Sequence, residues 1–418
     1  MLKSIKYYFF GIFQSDPREI SSLNGIRCLG FFLLVLGHLY IGFEMFIQDK
    51  SWIMRNLLYS TSQCMDIFFV LSGFLISGPL FKEIENKNTI KLGKFFSKRT
   101  LRIFPPYFAF LIFQTFIIAP LFIKLRPDYT EYINNLQSKV VYDFFYVSNY
   151  VMGTLPHGWS LSLEEQFYLL FPLFLLLIFR KVRKRYRLHT LFGFLVVPIL
   201  YRWIVFHSVI EPAAPELTRK LYLENIYYPL QGRLDCLFTG ILLAYVYNTY
   251  PKEIQNFLND PKKFRIASLA AWGSLIVVSA FFCEYDKGLI SMVFRFNINS
   301  VSWATIALLS MKSGSWTNRI FSWRIFSPVA KLTYCTYLIH FFFQGILAPV
   351  FINAKTAKYS DLLLNTIPIG IVLLLLGYIF HLITERPFML IKEKWFGKVV
   401  EMQPALRESE SKIEVNNT

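Results

Sequence analysis

The chain has 418 residues, of which 54% are hydrophobic, 18% are aromatic and only 17% are charged. Soluble chains usually carry about 25% charged residues, because a surface in water must be polar. The composition therefore excludes an ordinary soluble enzyme and indicates that lipid solvates much of the apolar surface. A formal net charge of +17 would also fit nucleic-acid binding. The basic residues, however, lie in short loops between long apolar runs, which is typical of membrane topology, so we expect no nucleic-acid partner.

Apolar runs of about 20 residues, the length that crosses a bilayer, recur along the whole chain. They predict about ten spanning helices, near 23–45, 57–80, 104–124, 160–180, 190–207, 226–248, 266–283, 289–311, 332–352 and 362–384. Arg27 and His38 lie in the first run, which has no small-residue cleavage site after it, so we interpret it as a retained span and not as a signal peptide.

The distribution of basic residues predicts the orientation. Seven lysines and arginines fall between residues 82 and 102, and six fall between residues 180 and 187, whereas the alternate loops are poorer. Because cytoplasmic loops carry the excess of basic residues, both termini are predicted to be cytoplasmic. We expect an all-α polytopic bundle over residues 1–390 and a polar, disordered cytoplasmic tail over 391–418. The loop at 125–159 is expected to fold back over the outer mouth of the bundle.

The cysteines give no sign of a metal centre or of a disulfide framework. None of the pairs has the spacing of a metal site, and most of these residues lie in apolar segments, where a free thiol packs as a small hydrophobe. The five are Cys28, Cys64, Cys236, Cys283 and Cys335. No metal is therefore predicted.

Arg27 and His38 are ionisable groups within a predicted span, where such groups are costly and mark functional sites by default. Eleven residues separate them, which is about three helical turns and roughly 16 Å, so they face nearly the same side of the helix. With Arg27 at the cytoplasmic interface, His38 lies near the midplane of the bilayer. The alternative for His38 is a neutral imidazole hydrogen-bonded within the core.

Glu164 and Glu165 lie just inside the fourth span, after the sequence His-Gly-Trp-Ser-Leu-Ser-Leu. Adjacent residues on a helix point about 100° apart, so the two carboxylates serve different roles. A carboxylate close to an imidazole orients it and stabilises its charged form, as a general base requires. The alternative is a pair of interfacial acids that reach water.

The second span and the entry to the third hold further polar candidates. Asp66 lies early in the second span, where it is either functional or simply solvated near the outer interface. Ser72 lies with glycines in the same span, and small residues there more often permit close helix packing. Arg99 and Arg102 are three residues apart on one helical face at the cytoplasmic entry, which suits a phosphate group as well as ordinary topology.

Together these segments resemble the acyltransferase-3 family of membrane acyltransferases, which includes O-acetylases of bacterial surface glycans. The resemblance runs from about Ser22 to Pro387. Its motifs are Ser22–Arg27 with Gly37-His38, Asp66–Ile76, Arg99–Arg102, Trp159–Tyr168, Gly232–Asp235, Leu332–His340 and Glu385–Pro387. Asn24 departs from the pattern, because the family often has aspartate at this position. Some members also carry an extracytoplasmic hydrolase-like domain; here we expect acceptor recognition to rest with the membrane part.

The resemblance implies a fold, a reaction and a set of site residues. Acyl-CoA, by default acetyl-CoA, is the expected donor, bound from the cytoplasm by Arg27, Arg99 and Arg102. His38 is the expected general base on an acceptor hydroxyl, with Glu164 orienting it or binding the acceptor. The supporting or substrate-binding residues are expected to be Asp66, Ser72, Trp159, Glu165, Tyr168, Arg233 and His340. Whether the reaction passes through a covalent acyl-enzyme is not predicted.

The sequence also leaves a rival class open. A transporter or flippase of a lipid-linked glycan would equally place ionisable groups at the midplane, although transporters commonly show two related halves, and the motifs here do not recur. A structural or sensor membrane protein is a third alternative. The expected partners are membrane lipid and a carbohydrate or glycolipid acceptor, and the expected location is a bacterial inner membrane. The acceptor's identity and the oligomeric state are not predicted.

Overall fold

The computed structural model describes residues 2–14, 19–49, 51–282 and 288–397, with side chains described from residue 6 onward. Cys283 and the greater part of the predicted tail, 398–418, lie outside these ranges. The described residues form helices and connecting segments without any strand. The predicted all-α class is therefore confirmed.

Nineteen α-helices occur in the described ranges. In chain order they are α1 (Leu2–Phe10), α2 (Ser21–Phe43), α3 (Trp52–Tyr59), α4 (Cys64–Lys87), α5 (Leu92–Phe113), α6 (Ala119–Leu125), α7 (Thr130–Gln137), α8 (Val140–Phe144), α9 (Gly158–Leu177), α10 (Lys184–Val205), α11 (Pro215–Tyr222), α12 (Leu230–Thr249), α13 (Pro251–Asn259), α14 (Pro261–Phe281), α15 (Arg295–Ser310), α16 (Trp316–Phe321), α17 (Phe326–Phe351), α18 (Tyr359–Thr384) and α19 (Arg386–Phe396).

Short π-helical and 3₁₀ turns extend or join several of these helices. The π turns are Gln114–Ile118, Phe206–Ile210, Leu223–Tyr227 and Ile290–Phe294. The 3₁₀ turns are Gly11–Phe13, Glu44–Phe46, Ser60–Gln63, Pro127–Tyr129, Phe179–Lys181 and Ala354–Thr356.

Eight helical segments in the described ranges are long and apolar enough to cross a membrane. They are Ser21–Phe46, Trp52–Lys87, Leu92–Leu125, Gly158–Lys181, Lys184–Ile210, Pro261–Phe281, Phe326–Phe351 and Tyr359–Thr384. Each coincides with a predicted span, and the protein is a multi-pass membrane protein. The other two predicted spans also fold as helices, α12 and α15. α12 carries Arg233 and Asp235 within its length, and α15 has 16 residues. The predicted count of ten therefore stays a prediction.

Helix α4 packs closely against α12, and paired glycines permit this approach. A Cβ atom at Gly73 would collide with the carbonyl oxygen of Leu237, and one at Gly240 would collide with the carbonyl oxygen of Val70. Small residues let two helix backbones come together in this way inside a membrane. This close packing brings the polar residues of α4 and α12 into direct contact.

The first and last helices of the described chain lie on the same side of the bundle. The guanidinium of Arg386 in α19 donates to the carbonyl oxygens of Tyr7 and Tyr8 in α1, at 2.7 and 3.2 Å. Tyr8 also donates to the carbonyl oxygen of Leu382, at 2.6 Å. That this side is the cytoplasmic one stays a prediction. α19 also crosses the predicted boundary at residue 390 and ends at Phe396.

Candidate active site

His38 lies towards the C-terminal end of α2, beside a second histidine from another helix. Its ring centroid is 4.9 Å from that of His340 in α17. Nδ1 of His38 is 3.0 Å from the carbonyl oxygen of Leu34. Because a carbonyl oxygen only accepts, Nδ1 carries the proton, which leaves a lone pair on Nε2 of the neutral ring. The structure thus brings together two of the predicted site residues, His38 and His340.

A third histidine, His157, joins this cluster, and the sequence analysis did not single it out. Its ring centroid lies 5.1 Å from that of His340. The backbone carbonyl oxygen of His157 accepts hydrogen bonds from Ser160 Oγ at 3.1 Å and from Tyr337 Oη at 3.2 Å. The sequence offered one signal, since His157 lies two residues before Trp159 in a family motif. A single histidine in a connecting loop, however, gave no reason to select it as a site residue.

A buried carboxylate holds the segment that carries His157. Asp143 in α8 is fully buried, and its Oδ2 accepts from Thr154 Oγ1 at 2.8 Å and from the Leu155 amide at 3.2 Å. Gly153 fits against this carboxylate, where a Cβ atom would collide with it. The connection expected to fold back over the bundle does turn inward here. It delivers His157 to the start of α9.

The predicted donor-binding residues form a second polar group, centred on Glu164. Tyr168 donates to Glu164 Oε2 at 2.7 Å, one helical turn away on α9, and lies 3.0 Å from Ser72 Oγ. The guanidinium of Arg99 lies over the Tyr168 ring, 5.3 Å from its centroid. Arg27 and Arg99 both interact electrostatically with Glu164. The face of the Tyr168 ring attracts the Arg99 cation, and together with the nearby Glu164 carboxylate it holds this arginine in place.

Glu164 and His38 belong to different groups. In the described ranges the hydrogen bond of the Glu164 carboxylate goes to Tyr168, and that of the His38 ring goes to the backbone. The expectation that Glu164 orients His38 therefore has no hydrogen bond to support it here. The geometry connects Glu164 with the arginines instead.

Arg102 lies further from the centre, beside the start of α19. Its Nε is 3.8 Å from Glu385 Oε1, and its side chain is 39% exposed. Glu385 Oε2 also accepts from Cys335 Sγ at 3.1 Å and lies 2.8 Å from His381 Nδ1. This carboxylate fixes the inner end of Arg102 while the guanidinium keeps access to solvent. The arrangement leaves the guanidinium of Arg102 accessible to an anion from solvent.

Cys335, His381 and Glu385 also form a donor set of the kind that zinc prefers. One ligand atom from each lies within 4.8 Å of the others. The neighbouring Arg102, however, already supplies a positive charge to Glu385, and a divalent cation beside it would be repelled. The hydrogen bonds satisfy the carboxylate without an ion. The prediction that the chain holds no metal stays a prediction.

Lys392 in α19 adds a cation to the arginines of α5. Burial, together with the positive charges of Arg102 and Arg99, lowers the pKa of Lys392 to about 8. Lys98, the residue before Arg99 in α5, also approaches α19, with its ammonium group 5.6 Å from the centroid of the Phe396 ring. Like charges held this close repel one another, and a bound anion would relieve the repulsion. Sequence analysis placed Lys392 in the tail and so did not associate it with the arginines.

Asp66 and Arg233 form an ion pair between α4 and α12, 2.5 Å apart, and their side chains are 2% and 0% exposed. Asn299 Nδ2 donates to the other carboxylate oxygen at 3.0 Å. The alternative of a solvated Asp66 near the outer interface was wrong, because the close packing of α4 and α12 buries it against Arg233. The guanidinium also faces the Phe296 and Tyr227 rings, at 4.2 and 4.9 Å.

A second buried pair stands beside the first, and its arginine was missed by the sequence analysis. Arg202 in α10 lies 2.9 Å from Asp235 Oδ2. It also donates to the carbonyl oxygens of Val293 and Gly232, at 2.8 and 2.6 Å. Because its donors are occupied by protein atoms, Arg202 is a structural crosslink between α10, α12 and the turn before α15.

The remaining predicted residues support these groups. Trp159 is buried, with its ring 4.9 Å from Tyr227 and 5.2 Å from Tyr228. It packs beside the rings that cover Arg233. Glu165 is half-buried, and its Oε1 has no hydrogen-bond partner in the described part of the chain. Its carboxylate interacts electrostatically with Glu164 and Arg99.

The described fold and these polar groups define a helical membrane protein with ionisable residues at its centre. The sequence of this chain matches the family model described as an acyltransferase domain, Acyl_transf_3, over residues 20–385. The chain therefore belongs to this acyltransferase family, and the family predicted from the motifs is confirmed. The class of enzyme expected from those motifs, an acyltransferase, is confirmed at the level of the family.

Three relatives illustrate the similarity. A protein of Staphylococcus aureus, provisionally named an O-acetyltransferase, is 25% identical over 367 residues, covering 82% of this chain and 53% of the relative. The peptidoglycan O-acetyltransferase OatA of Listeria monocytogenes is 25% identical over 356 residues, covering 80% and 50%. An uncharacterized protein of Haemophilus influenzae is 32% identical over 204 residues, covering 46% and 77%. The chain spans about half the length of the Staphylococcus and Listeria relatives. No solved structure matches it.

Proposed function

We propose that this protein is a membrane O-acetyltransferase that moves an acetyl group from cytoplasmic acetyl-CoA to a hydroxyl of a carbohydrate-containing acceptor. The acceptor enters from the opposite side of the membrane, and the two substrates meet at His38. The membrane is the bacterial inner membrane. The names of the Staphylococcus and Listeria relatives support the O-acetyl transfer, and the arrangement of α2 supports the division into two sides.

The observation that carries this proposal is the placement of Arg27 and His38 on one helix. Both lie on α2, eleven residues and so roughly 16 Å apart. Arg27 takes part in the electrostatics of the Glu164 group together with Arg102, whereas His38 packs against His340. One helix thus joins a group suited to phosphates with a group suited to a hydroxyl.

The chemistry follows from the proton positions of His38. Nδ1 donates to the Leu34 carbonyl, so Nε2 is free to take the proton of the acceptor hydroxyl. The hydroxyl oxygen then attacks the thioester carbonyl carbon, the carbon–sulfur bond breaks, and the CoA thiolate takes the proton back from His38. A positioned base of this kind contributes typically 10²–10⁴-fold to the rate. This direct transfer accounts for every bond and proton without a covalent acyl-enzyme.

The cations of the cytoplasmic side bind the donor. Arg99 and Arg102 contact the phosphates of acetyl-CoA, and Arg27 holds a further phosphate or the pantetheine end. Guanidiniums suit phosphate because they present paired donors. Glu164 and Tyr168 position Arg99, which is a role on the donor side and not on His38. Asp66 and Arg233 hold α4 against α12.

A pair of histidine variants tests the proposal. His38→Ala removes the base, whereas His207→Ala is the matched control, since His207 is exposed and its Nδ1 lies 2.7 Å from Glu211 Oε2, outside the histidine cluster. Both are expressed in the native host at equal membrane levels, and base-labile acetate on purified surface glycans is measured by mass spectrometry. Acetate should be present with wild type and His207→Ala and absent with His38→Ala. Acetylation unchanged by His38→Ala would remove His38 as the base.

A further inference from the structure

Three histidine rings from separate segments meet around the proposed reaction centre. His38 comes from α2, His340 from α17 and His157 from the turn that begins α9. The centroids are 4.9 Å apart for His38 and His340, and 5.1 Å apart for His157 and His340. Phe341 borders the cluster, 5.5 Å from the His38 ring. Of these three histidines, only His38 has a part in the reaction derived so far.

The cluster contains buried nitrogens that the protein leaves unsatisfied. His340 and His157 are 0% and 4% exposed. Within the described ranges, His340 Nε2 and both ring nitrogens of His157 make no well-formed hydrogen bond, although His157 interacts weakly with the backbone of Leu338. A buried polar atom that is left without a partner destabilises the fold, because its contact with water is lost and not replaced. Three such atoms beside one another point to a polar ligand that supplies the partners.

The tautomer of His340 is set by its backbone contact. Its Nδ1 lies 2.5 Å from the Tyr337 carbonyl oxygen, so Nδ1 donates and Nε2 accepts. Together with His38, this gives two imidazoles that each offer a lone pair, while His157 offers one donor and one acceptor. The set is therefore complementary to hydroxyl groups, which both donate and accept.

A single metal ion fits this cluster less well. One metal requires its ligand atoms to converge on a point, and across the described ranges such convergence within 4.8 Å is found for Cys335, His381 and Glu385, not for the three histidines. Their nitrogens are spread over a larger space. A ligand with several polar atoms matches that spread, as adjacent hydroxyls on a sugar ring do.

We infer that His157 and His340 form a hydroxyl-binding subsite of the acceptor, next to His38. The acceptor is of the vicinal-diol class: His38 Nε2 takes the proton of one hydroxyl, while His340 Nε2 and His157 hydrogen-bond the neighbouring one. His157 is a binding residue that aligns the reacting oxygen. This inference rests on the proposed acetyl transfer and specifies the kind of acceptor that the site takes.

The test uses the full chain reconstituted in liposomes, with acetyl-CoA as donor. The probes are methyl glycosides of glucose, galactose and N-acetylglucosamine, each with its monodeoxy analogues, and cyclohexanol as a lone alcohol. Ester formation gives kcat/KM. For wild type we expect kcat/KM to fall about tenfold or more when the hydroxyl beside the acetylated one is removed, because its partners are left unpaired.

The variants His157→Phe and His157→Gln separate binding from a structural role. The phenyl ring retains the shape without polar atoms, so His157→Phe should lose the discrimination: its kcat/KM is low and similar for glycoside and deoxy analogue. His157→Gln keeps a donor and an acceptor and should restore part of the discrimination. His207→Phe is the matched control and should behave as wild type. Unchanged KM for acetyl-CoA shows that each variant is folded.

The outcomes distinguish the two proposals. If His157→Phe and the missing hydroxyl reduce kcat/KM independently and multiplicatively, His157 does not contact that hydroxyl, and the subsite inference is overturned while acetyl transfer stands. Equal rates for wild type with cyclohexanol and with the glycosides would overturn it as well. If wild type forms no ester with any probe, both the subsite and the carbohydrate acceptor are refuted.

Discussion

Asp66 and Arg233 connect α4 to α12 through a salt bridge that is closed to solvent, with Asn299 on the second carboxylate oxygen. Removing one partner of such a pair leaves an uncompensated charge, which typically costs about 3–5 kcal/mol, whereas replacing both with apolar residues is often neutral. The two residues therefore act as a unit in stability.

We expect Asp66→Ala to lower the thermal stability of the detergent-purified protein strongly, by about 3–5 kcal/mol in the free energy of unfolding. The double variant Asp66→Leu with Arg233→Met should recover most of the loss. Thermal melts of the single and double variants provide the measurement. Additive losses in the double variant would contradict the pairing.

Lys392 predicts a pH dependence of donor binding. Its pKa is lowered to about 8, so the side chain is charged at pH 7 and loses its charge as the pH rises through 8 to 9. An anionic donor is attracted only by the charged form. The KM for acetyl-CoA should therefore rise above pH 8 in wild type. Lys392→Arg, which keeps its charge over this range, should flatten the profile; a rise as steep as that of wild type would exclude Lys392 from the donor site.

Glu164 and Tyr168 should affect the same step. Glu164→Gln and Tyr168→Phe each disturb the contact of 2.7 Å between them, and with it the position of Arg99. Each variant should raise the KM for acetyl-CoA roughly tenfold. The double variant should be little worse than either single one, because the interaction can be lost only once. Kinetics with varied acetyl-CoA check this, and a change confined to the acceptor KM would return Glu164 to the acceptor side.

Asp143 should control the delivery of His157. Asp143→Ala removes the acceptor of the Thr154 and Leu155 hydrogen bonds and should reduce kcat several-fold with the KM for acetyl-CoA unchanged. Asp143→Asn keeps one acceptor oxygen and should lose less. Limited proteolysis within 145–157 reports the loosened segment. Equal kcat for Asp143→Ala and wild type would separate this segment from the reaction.

The positions of the individual helices can be predicted from the sequence far better than the contacts between them. Within the described residues, all ten predicted spans are helical, because hydrophobic runs of this length satisfy their own backbone groups inside a membrane. Which helix faces which depends on packing between distant segments. Asp66 was interpretable as solvated until α12 was seen to bring Arg233 against it.

The dependence on contacts between distant segments also explains why the sequence analysis missed some site residues and did not identify the partners of others. Arg202 stood in a predicted span, but its partners lie 30 to 95 residues away along the chain. His157 acquires its neighbours in a loop that the Asp143 carboxylate holds inward. Glu164 was expected to orient His38 or to bind the acceptor, and the hydrogen bond of its carboxylate comes from Tyr168, four residues later on the same helix. Long-range contacts of this kind leave no local periodic pattern.

The rigid spacing of Arg27 and His38 along α2 has a consequence for donor choice. Under the proposed mechanism, the distance between Arg27 and His38 sets a minimum length for the donor. Its anchored phosphate and its reacting carbonyl must be joined by a flexible arm that spans three turns of α2. Coenzyme A carries such an arm, whereas in acetyl phosphate a single bridging oxygen joins the carbonyl carbon to the phosphorus. The protein would thus reject small activated acetates by reach alone, without any contact that recognises them.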